Sequence, residues 1–394
     1  MQQEADEKER NPDGLKFKVI TPIFSYGVDN KSENSVPEIR PTSVKGMMRY
    51  MFRIAQPTRN TSDLRDLENT LFGGGKEEKT ASPIRLAVTK KIIPIDEENP
   101  NDPWKHKFLF HDKAKRWDKG KNKLVDDNPK RKYIPPESEF TLRLSLRNDL
   151  KQLEKLQKKL EDERILNEAE KKRLENLEEK YRAGYLKELK WYKDLLELSL
   201  LLIGLGQRSR KGRGRCSCKV YQSEIDCKKD ILSMLDTITE RKNYKLNEDE
   251  SCIEFDGKSD EKRPFIKEIV FGEAKEKTWR DFFECLDWAS HDIKDARNEG
   301  KAAIVSNGNF HATGQAKPRF ASSIIVGCAQ IDKKILPIYT YIRPVVKEYV
   351  LDADNELKEF IKAFEEGENR WLSVPKMATY EQLKELQEAI NHGR

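Results

Sequence analysis

The amino-acid pattern of this chain specifies an α+β fold of two tandem β-α-β-β-α-β units with a helical-hairpin insertion. Three observations carry that expectation. Phe140, Leu142, Leu144 and Leu146 alternate with Thr141, Arg143, Ser145 and Arg147, the period of a half-buried strand. Val44, Met47, Met48, Met51, Phe52 and Ala55 follow the period of a core-facing helix. Residues 149–183 are helical in period and balanced in charge, so they read as two solvated antiparallel helices turning near Asn167.

Residues 1–14 are polar and charged, which predicts a disordered tail and excludes a signal peptide. Leu15 to Ile20 reads as a strand, and Thr21-Pro22 and Gly27 open a loop running to Pro41. Ser43 is the expected N-cap of the first helix, which Pro57 bounds. A second helix, Ser62 to Leu71, ends in the turn Phe72-Gly73-Gly74-Gly75. Ile84, Leu86 and Val88 mark the next strand. Residues 99–135 are a long connector, with eleven Lys/Arg and five Asp between Asn101 and Ile134. Trp104, Phe108, Phe110 and Trp117 are interleaved there. Such a stretch suits single-stranded nucleic acid, or is a mobile basic loop with its aromatics tucked onto the core. Beyond the hairpin, Gly184 is a break, and a helix over Trp191 to Ile203 leads into a glycine-rich loop and a strand at Cys216 to Tyr221.

Without its insertions, the 15–221 unit has the order of a ferredoxin-like, RNA-recognition-type sandwich. Residues 222–394 read as a weaker second copy. There, 237–263 is expected to be loop-rich, with strands at Phe265–Phe271, Arg319–Ala329 and Ile335–Ile342. Trp279, Phe282, Phe283 and Leu286 mark one helix, Leu357 to Phe364 another, and Asn307-Gly308-Asn309 a turn.

Composition narrows the function. Charged residues make up 37% and hydrophobic ones 36% of the 394, with net charge +6, so a nucleic-acid site would be a localised patch. Six cysteines without a Cys-x-x-Cys pair read as reduced thiols of a cytoplasmic protein, not a zinc site. The longest apolar run, Leu198 to Leu205, is too short to span a membrane. No cofactor is implied.

The loop Gly204 to Arg215 packs five basic residues (Arg208, Arg210, Lys211, Arg213 and Arg215) among four glycines. Gly204, Gly206 and Gly212 would let a backbone approach, and the cations match phosphate oxygens. Neither the dinucleotide fingerprint nor the P-loop spacing fits, which favours a polymer backbone over a mononucleotide. The alternative is a solvated basic turn. Lys45, Arg49 and Arg53 recur every fourth residue on the first helix, beside Gly46, with no acid on that face. They form either a second phosphate contact or an ordinary solvated face. Among residues able to do acid–base chemistry, His111 adjoins Asp112, His311 precedes a small basic loop at Gly314 to Phe320, and Asp29 sits in the first loop. No nucleophile–base arrangement emerges.

The chain resembles the RAMP superfamily of CRISPR-associated proteins. The matching features come in that family's order: Ile20-Thr-Pro-Ile-Phe24, then Glu38-Ile-Arg-Pro-Thr-Ser-Val-Lys-Gly-Met-Met-Arg49, Leu71-Phe-Gly-Gly74, Pro136-Glu-Ser-Glu-Phe140 and the Gly204–Gly214 loop. Within it, the pairing of Glu38–Gly46 with Gly204–Gly212 is most similar to the first-numbered Cmr subunits of type III-B effector complexes. Arg319-Phe-Ala-Ser-Ser-Ile324 fits their second-domain pattern, with Ser323 where proline is expected. The 149–183 hairpin departs from it. The resemblance implies a non-catalytic subunit that binds single-stranded RNA, guide or target, near the guide 3′ end beside other Cmr subunits. Its rivals are an endoribonuclease working through Asp29, His111 or His311, and an assembly protein docking through the hairpin.

Overall fold

A computed structural model describes residues 14–26, 36–74, 81–91, 115–118, 123–126, 133–162, 165–181, 187–259, 263–276, 281–283, 285–286, 323–343, 357–358, 361–362 and 364–365. It is a mixed α/β structure with antiparallel sheets. The N-terminal tail, Asp29, all five histidines, the aromatics at 104, 108 and 110, the turn at 307–309 and the loop at 314–320 lie outside the described residues.

The first sheet contains β1 (Gly14–Val19), β2 (Ile84–Lys91), β5 (Glu139–Leu146) and β6 (Cys216–Ser217), in the order β2-β5-β1-β6, and every neighbouring pair is antiparallel. Phe17 faces Phe140 in the β1/β5 register, and the two rings stack at 5.6 Å. Within the connector expected to be a long loop, β3 (Lys115–Asp118) and β4 (Lys123–Asp126) form a separate two-stranded ladder.

Two helices follow β1. The first, α1 (Pro41–Ala55), starts two residues before Ser43, with Pro41 at its first turn and Arg40 at the N-cap. Proline suits that position because its missing N–H would have no helical partner there. The second, α2 (Thr61–Phe72), is capped by Asn60, whose side chain accepts from Asp63 N at 2.9 Å, a contact of about 1 kcal/mol. It stops at Gly73, where φ is 84°.

The hairpin appears as α3 (Asn148–Glu161) and α4 (Glu168–Tyr181). Asn167 and Glu170 close a reciprocal cap at the turn, with Glu170 N donating to Asn167 Oδ1 at 2.9 Å. Leu150, Leu153, Leu156, Leu166, Leu174 and Leu177 make a small core of its own.

The helix α5 (Leu189–Leu202) is buried on all sides from Leu195 onward, whereas Lys190 in its first turn is exposed and pairs with Asp194. It touches β5 and β6 of the first sheet, α1, and β10 of the second sheet. Each of its fully buried leucines contributes about 2 kcal/mol. Next comes α6 (Glu224–Thr239), capped by Ser223 onto Asp226 N. The sequence reading assigned no helix there.

The second sheet has the order β10-β11-β9-β8-β7, from β7 (Tyr244–Leu246), β8 (Cys252–Phe255), β9 (Phe265–Phe271), β10 (Ile324–Ile331) and β11 (Lys334–Arg343). Part of the expected 237–263 loop is therefore the β7/β8 ladder. Helices α1 and α5 are shared between the sheets, α1 meeting β2 and β9, while α6 packs on β7 and on both of those helices. One apolar cluster accordingly runs from Phe17 to Ile342. Polar ties reinforce it, with Gln56 Nε2 donating to Ile238 O at 2.7 Å and Arg263 to the carbonyls of Arg53 and Arg59. The six cysteines are free thiols, and no helix among the described residues is long and apolar enough to cross a membrane.

Candidate nucleic-acid interface

After α5 the chain folds back on itself. Leu205 N donates to Gly214 O at 2.8 Å, closing the base of the glycine-rich loop. The segment after β1 runs alongside: Gln207 N donates to Phe24 O at 2.7 Å and Gly214 N to Pro22 O at 2.9 Å. Thr21 fastens the far end, its hydroxyl donating to Gly212 O at 2.8 Å and accepting from Arg215 N at 2.9 Å. On its other side the loop bridges to β10 through Lys211 and Val326.

This folding explains the glycines. Gly204, Gly206, Gly212 and Gly214 all have positive φ. A Cβ on Gly206 would overlap the Phe24 carbonyl, and one on Gly214 the Leu205 carbonyl. The expectation that these glycines admit a ligand is thus corrected, because the protein's own backbone fills the space at Gly204 and Gly206 and the Phe282 and Leu286 side chains fill it at Gly212. Gly46 behaves in the opposite way. It is exposed on α1, and a Cβ there would meet nothing within 4 Å.

The cations divide likewise. Arg213 is 2% exposed, with its guanidinium 5.1 Å from the centre of the Phe24 ring and 5.9 Å from Phe283. Arg215 is fully buried and donates to Ser209 O at 2.7 Å and to Val326 O. Neither presents its charge to a surface ligand in this arrangement; both hold the loop between the N-terminal segment and the second sheet. Arg208, Arg210 and Lys211 are half-buried, at the surface. Arg210 Nη2 donates to the Tyr50 hydroxyl at 2.6 Å, with the guanidinium 5.1 Å from the ring centre.

The stripe on α1 is not acid-free once its neighbours are included. Glu68, on α2, accepts from Arg53 at 3.2 Å through both carboxylate oxygens and lies 3.8 Å from Arg49 Nη1. Arg49 also donates to the carbonyls of Phe72 and Gly73. Lys45 donates to Ser82 Oγ at 2.5 Å. Burial, then the charges of Arg49 and Arg147, push the Lys45 ammonium down to about 8.

The two predicted elements do meet. Between α1, residues 24–26 and the loop lies a cleft of about 470 Å³. Its walls are Phe24, Ser25 and Tyr26, then Arg40, Ser43, Met47 and Tyr50 of the α1 region, then 203–207 with Ser209 and Arg210. No carboxylate is among these described lining residues; Arg40 carries its own ion pair, to Glu38 at 3.4 Å. The α1 residues facing the cleft recur as 43, 47 and 50, so Lys45, Arg49 and Arg53 lie across the exposed helix surface, with Gly46 between the two groups. Arg40 and Tyr50 were missed as site residues. Their i, i+3/i+4 relation to Ser43 and Met47 is the signal that finds them. The arrangement suits binding: two guanidiniums over an aromatic and apolar floor. Among the described residues no cluster of His, Cys, Asp and Glu is grouped to hold a metal ion.

A family model of the RAMP superfamily matches residues 16–217. No curated protein matches the chain. Among solved structures, it is similar to Cmr1 from Pyrococcus furiosus in its apo form, at 16% identity and TM-score 0.42, covering 84% of this chain and 87% of that one. It is also similar to a chain of the type III-B Cmr-beta complex bound to cognate target RNA, at 15% identity and TM-score 0.44, covering 90% of this chain and 98% of that one. The family match takes in just over half of the 394 residues and holds β1, α1, α2, β2, β5, α5 and β6 with the whole glycine-rich loop. By that match, the chain belongs to the RAMP superfamily.

Proposed function

We propose that this protein is a non-catalytic RNA-binding subunit of a type III-B CRISPR ribonucleoprotein, in the cytoplasm, with guide or target RNA and other Cmr subunits as partners. Superfamily membership supports the general class, and the paired Glu38–Gly46 and Gly204–Gly212 motifs support the assignment within it. The β2-β5-β1-β6 order supports reading 15–221 as a ferredoxin-like unit carrying the 99–135 and 149–183 insertions. Residues 222–394 then form its partner unit.

The single observation that carries the reading is the cleft. Two stretches about 160 residues apart meet there, bringing Arg40 and Arg210 over Phe24, Tyr26 and Tyr50. Aromatic faces accept bases of any sequence and guanidiniums pair with phosphates, so binding is weakly sequence-specific and steeply salt-dependent. Arg208 and Lys211 extend the cationic rim, whereas Arg213 and Arg215 belong to the scaffold.

The test is a gel shift with labelled single-stranded RNA, with product formation followed with and without Mg²⁺. Replacing Arg208, Arg210 and Lys211 together by Ala is expected to weaken binding and leave the fold intact. Unchanged affinity at matched salt refutes the assignment, and cleavage lost on Asp29→Ala or His311→Ala replaces it with a nuclease.

A further inference from the structure

We infer that Lys45, Ser82 and Arg147 form a second phosphate seat, separate from the cleft, which takes the next stretch of the same RNA backbone after it crosses α1 at Gly46. The inference rests on the RNA-binding reading and extends it to a residue, Arg147, at the base of the hairpin.

Three segments converge to make the seat. Lys45 reaches across from α1 to the Ser82 hydroxyl at 2.5 Å, and Ser82 also donates to Ile84 O at 3.2 Å. Arg147, between β5 and α3, is fixed beside them because its backbone N–H donates to Pro83 O at 3.0 Å. Its Nε is buried and has no hydrogen-bond partner among the described residues. A buried guanidinium N–H without an acceptor costs free energy, so a ligand oxygen that reached it would relieve a cost that no described residue relieves. The first turn of α3 follows directly, adding the positive end of a 14-residue helix.

The charges around Lys45 agree. The groups acting on it are Arg49 from its own helix and Arg147 from the facing segment, both cations, and they repel it. Of the nearby carboxylates, Glu68 is engaged by Arg53 and Arg49, and Asp149 lies in the first turn of α3. Cations gathered at this density destabilise one another, and a phosphodiester placed among them reverses that cost. The exposed Gly46 supplies the path, since no described residue comes within 4 Å of a Cβ placed there.

The test uses the full chain and a labelled oligoribonucleotide, with affinity recorded across a salt series for wild type, Arg147→Ala, Arg147→Lys and Arg210→Ala. Arg147→Ala is expected to weaken binding about tenfold at moderate salt. It should lower the salt slope by about 0.7, the single-strand value for one phosphate contact. Arg147→Lys, which keeps the charge, is expected to hold the wild-type slope. A slope lowered equally in both variants makes Arg147 a scaffold residue and overturns the seat. Wild-type behaviour of Arg147→Ala with a weakened Arg210→Ala removes the second seat and leaves the cleft. If neither weakens binding, both readings fall.

Discussion

Gly46 and Gly214 offer paired alanine substitutions with opposite expected signs. At position 46 the helix continues on both sides, the site is exposed, and a Cβ meets nothing within 4 Å. Alanine there should stabilise the protein by about 1 kcal/mol, the helix-propensity difference alone. At position 214, φ is 69°, which a Cβ disfavours by about 1–2 kcal/mol. The new Cβ also overlaps the Leu205 carbonyl, beside the bond from Leu205 N that closes the loop. Losing that bond adds about 1 kcal/mol or more, so Gly214→Ala should cost about 3 kcal/mol. Urea midpoints at unchanged m-value measure both stability effects. RNA affinity is then read on Gly46→Ala, the variant that keeps its fold. A raised midpoint with weakened RNA binding is the expected result, because the methyl group occupies the strand's path. A lowered midpoint refutes the open-helix geometry, and a raised midpoint with undiminished affinity refutes the backbone approach.

The stripe on α1 bears on pH dependence and on salt dependence. Lys45, held down to about 8, should lose its proton as pH rises from 7 to 9, and RNA affinity should fall with it, whereas Lys45→Arg should show a flat profile over that range. The folded value lies below the ordinary 10.5, so the unfolded chain binds more protons between the two. Without RNA, the Lys45 contribution to stability therefore rises with pH through that window, and Lys45→Met should abolish the rise. Glu68→Gln removes the carboxylate shared by Arg49 and Arg53. It should raise RNA affinity and steepen the salt slope at a cost of about 1 kcal/mol in stability, and an unchanged slope would mean that those two guanidiniums never reach phosphate.

What the sequence disclosed was whatever has a local cause. Alternation placed β5 within a residue of its observed ends, and the leucine period placed the hairpin. For α6 the signal is equally local: Ser223 three residues before Asp226, then Cys227, Ile231, Met234, Leu235 and Ile238 on one buried face. The pairing of Glu68 with Arg53 had no local signal, since it joins neighbouring helices. The same holds for the seat around Ser82, where residues 37 and 102 positions apart from Lys45 come together only because β2 and β5 are neighbours in the sheet.

Arg208, Arg210, Lys211, Arg213 and Arg215 look equivalent in sequence, yet Gly212 divides them. Before it, the loop borders the cleft, and its side chains meet Tyr50 and solvent. From Gly212 on, the chain passes under Thr21 and Arg215 reaches the Val326 carbonyl of β10, so the side chains of Arg213 and Arg215 are carried inward with their charge. Two buried arginines are costly unless they are bonded. The carbonyls of Ser209 and Val326 and the ring faces of Phe24 and Phe283 offset that cost, and these acceptors come from four different segments. A basic run can therefore serve as scaffold and as ligand surface within eight residues. The glycines make this division possible: they let the loop double back tightly enough to present one half of its charge outward while its own backbone and the second sheet enclose the other.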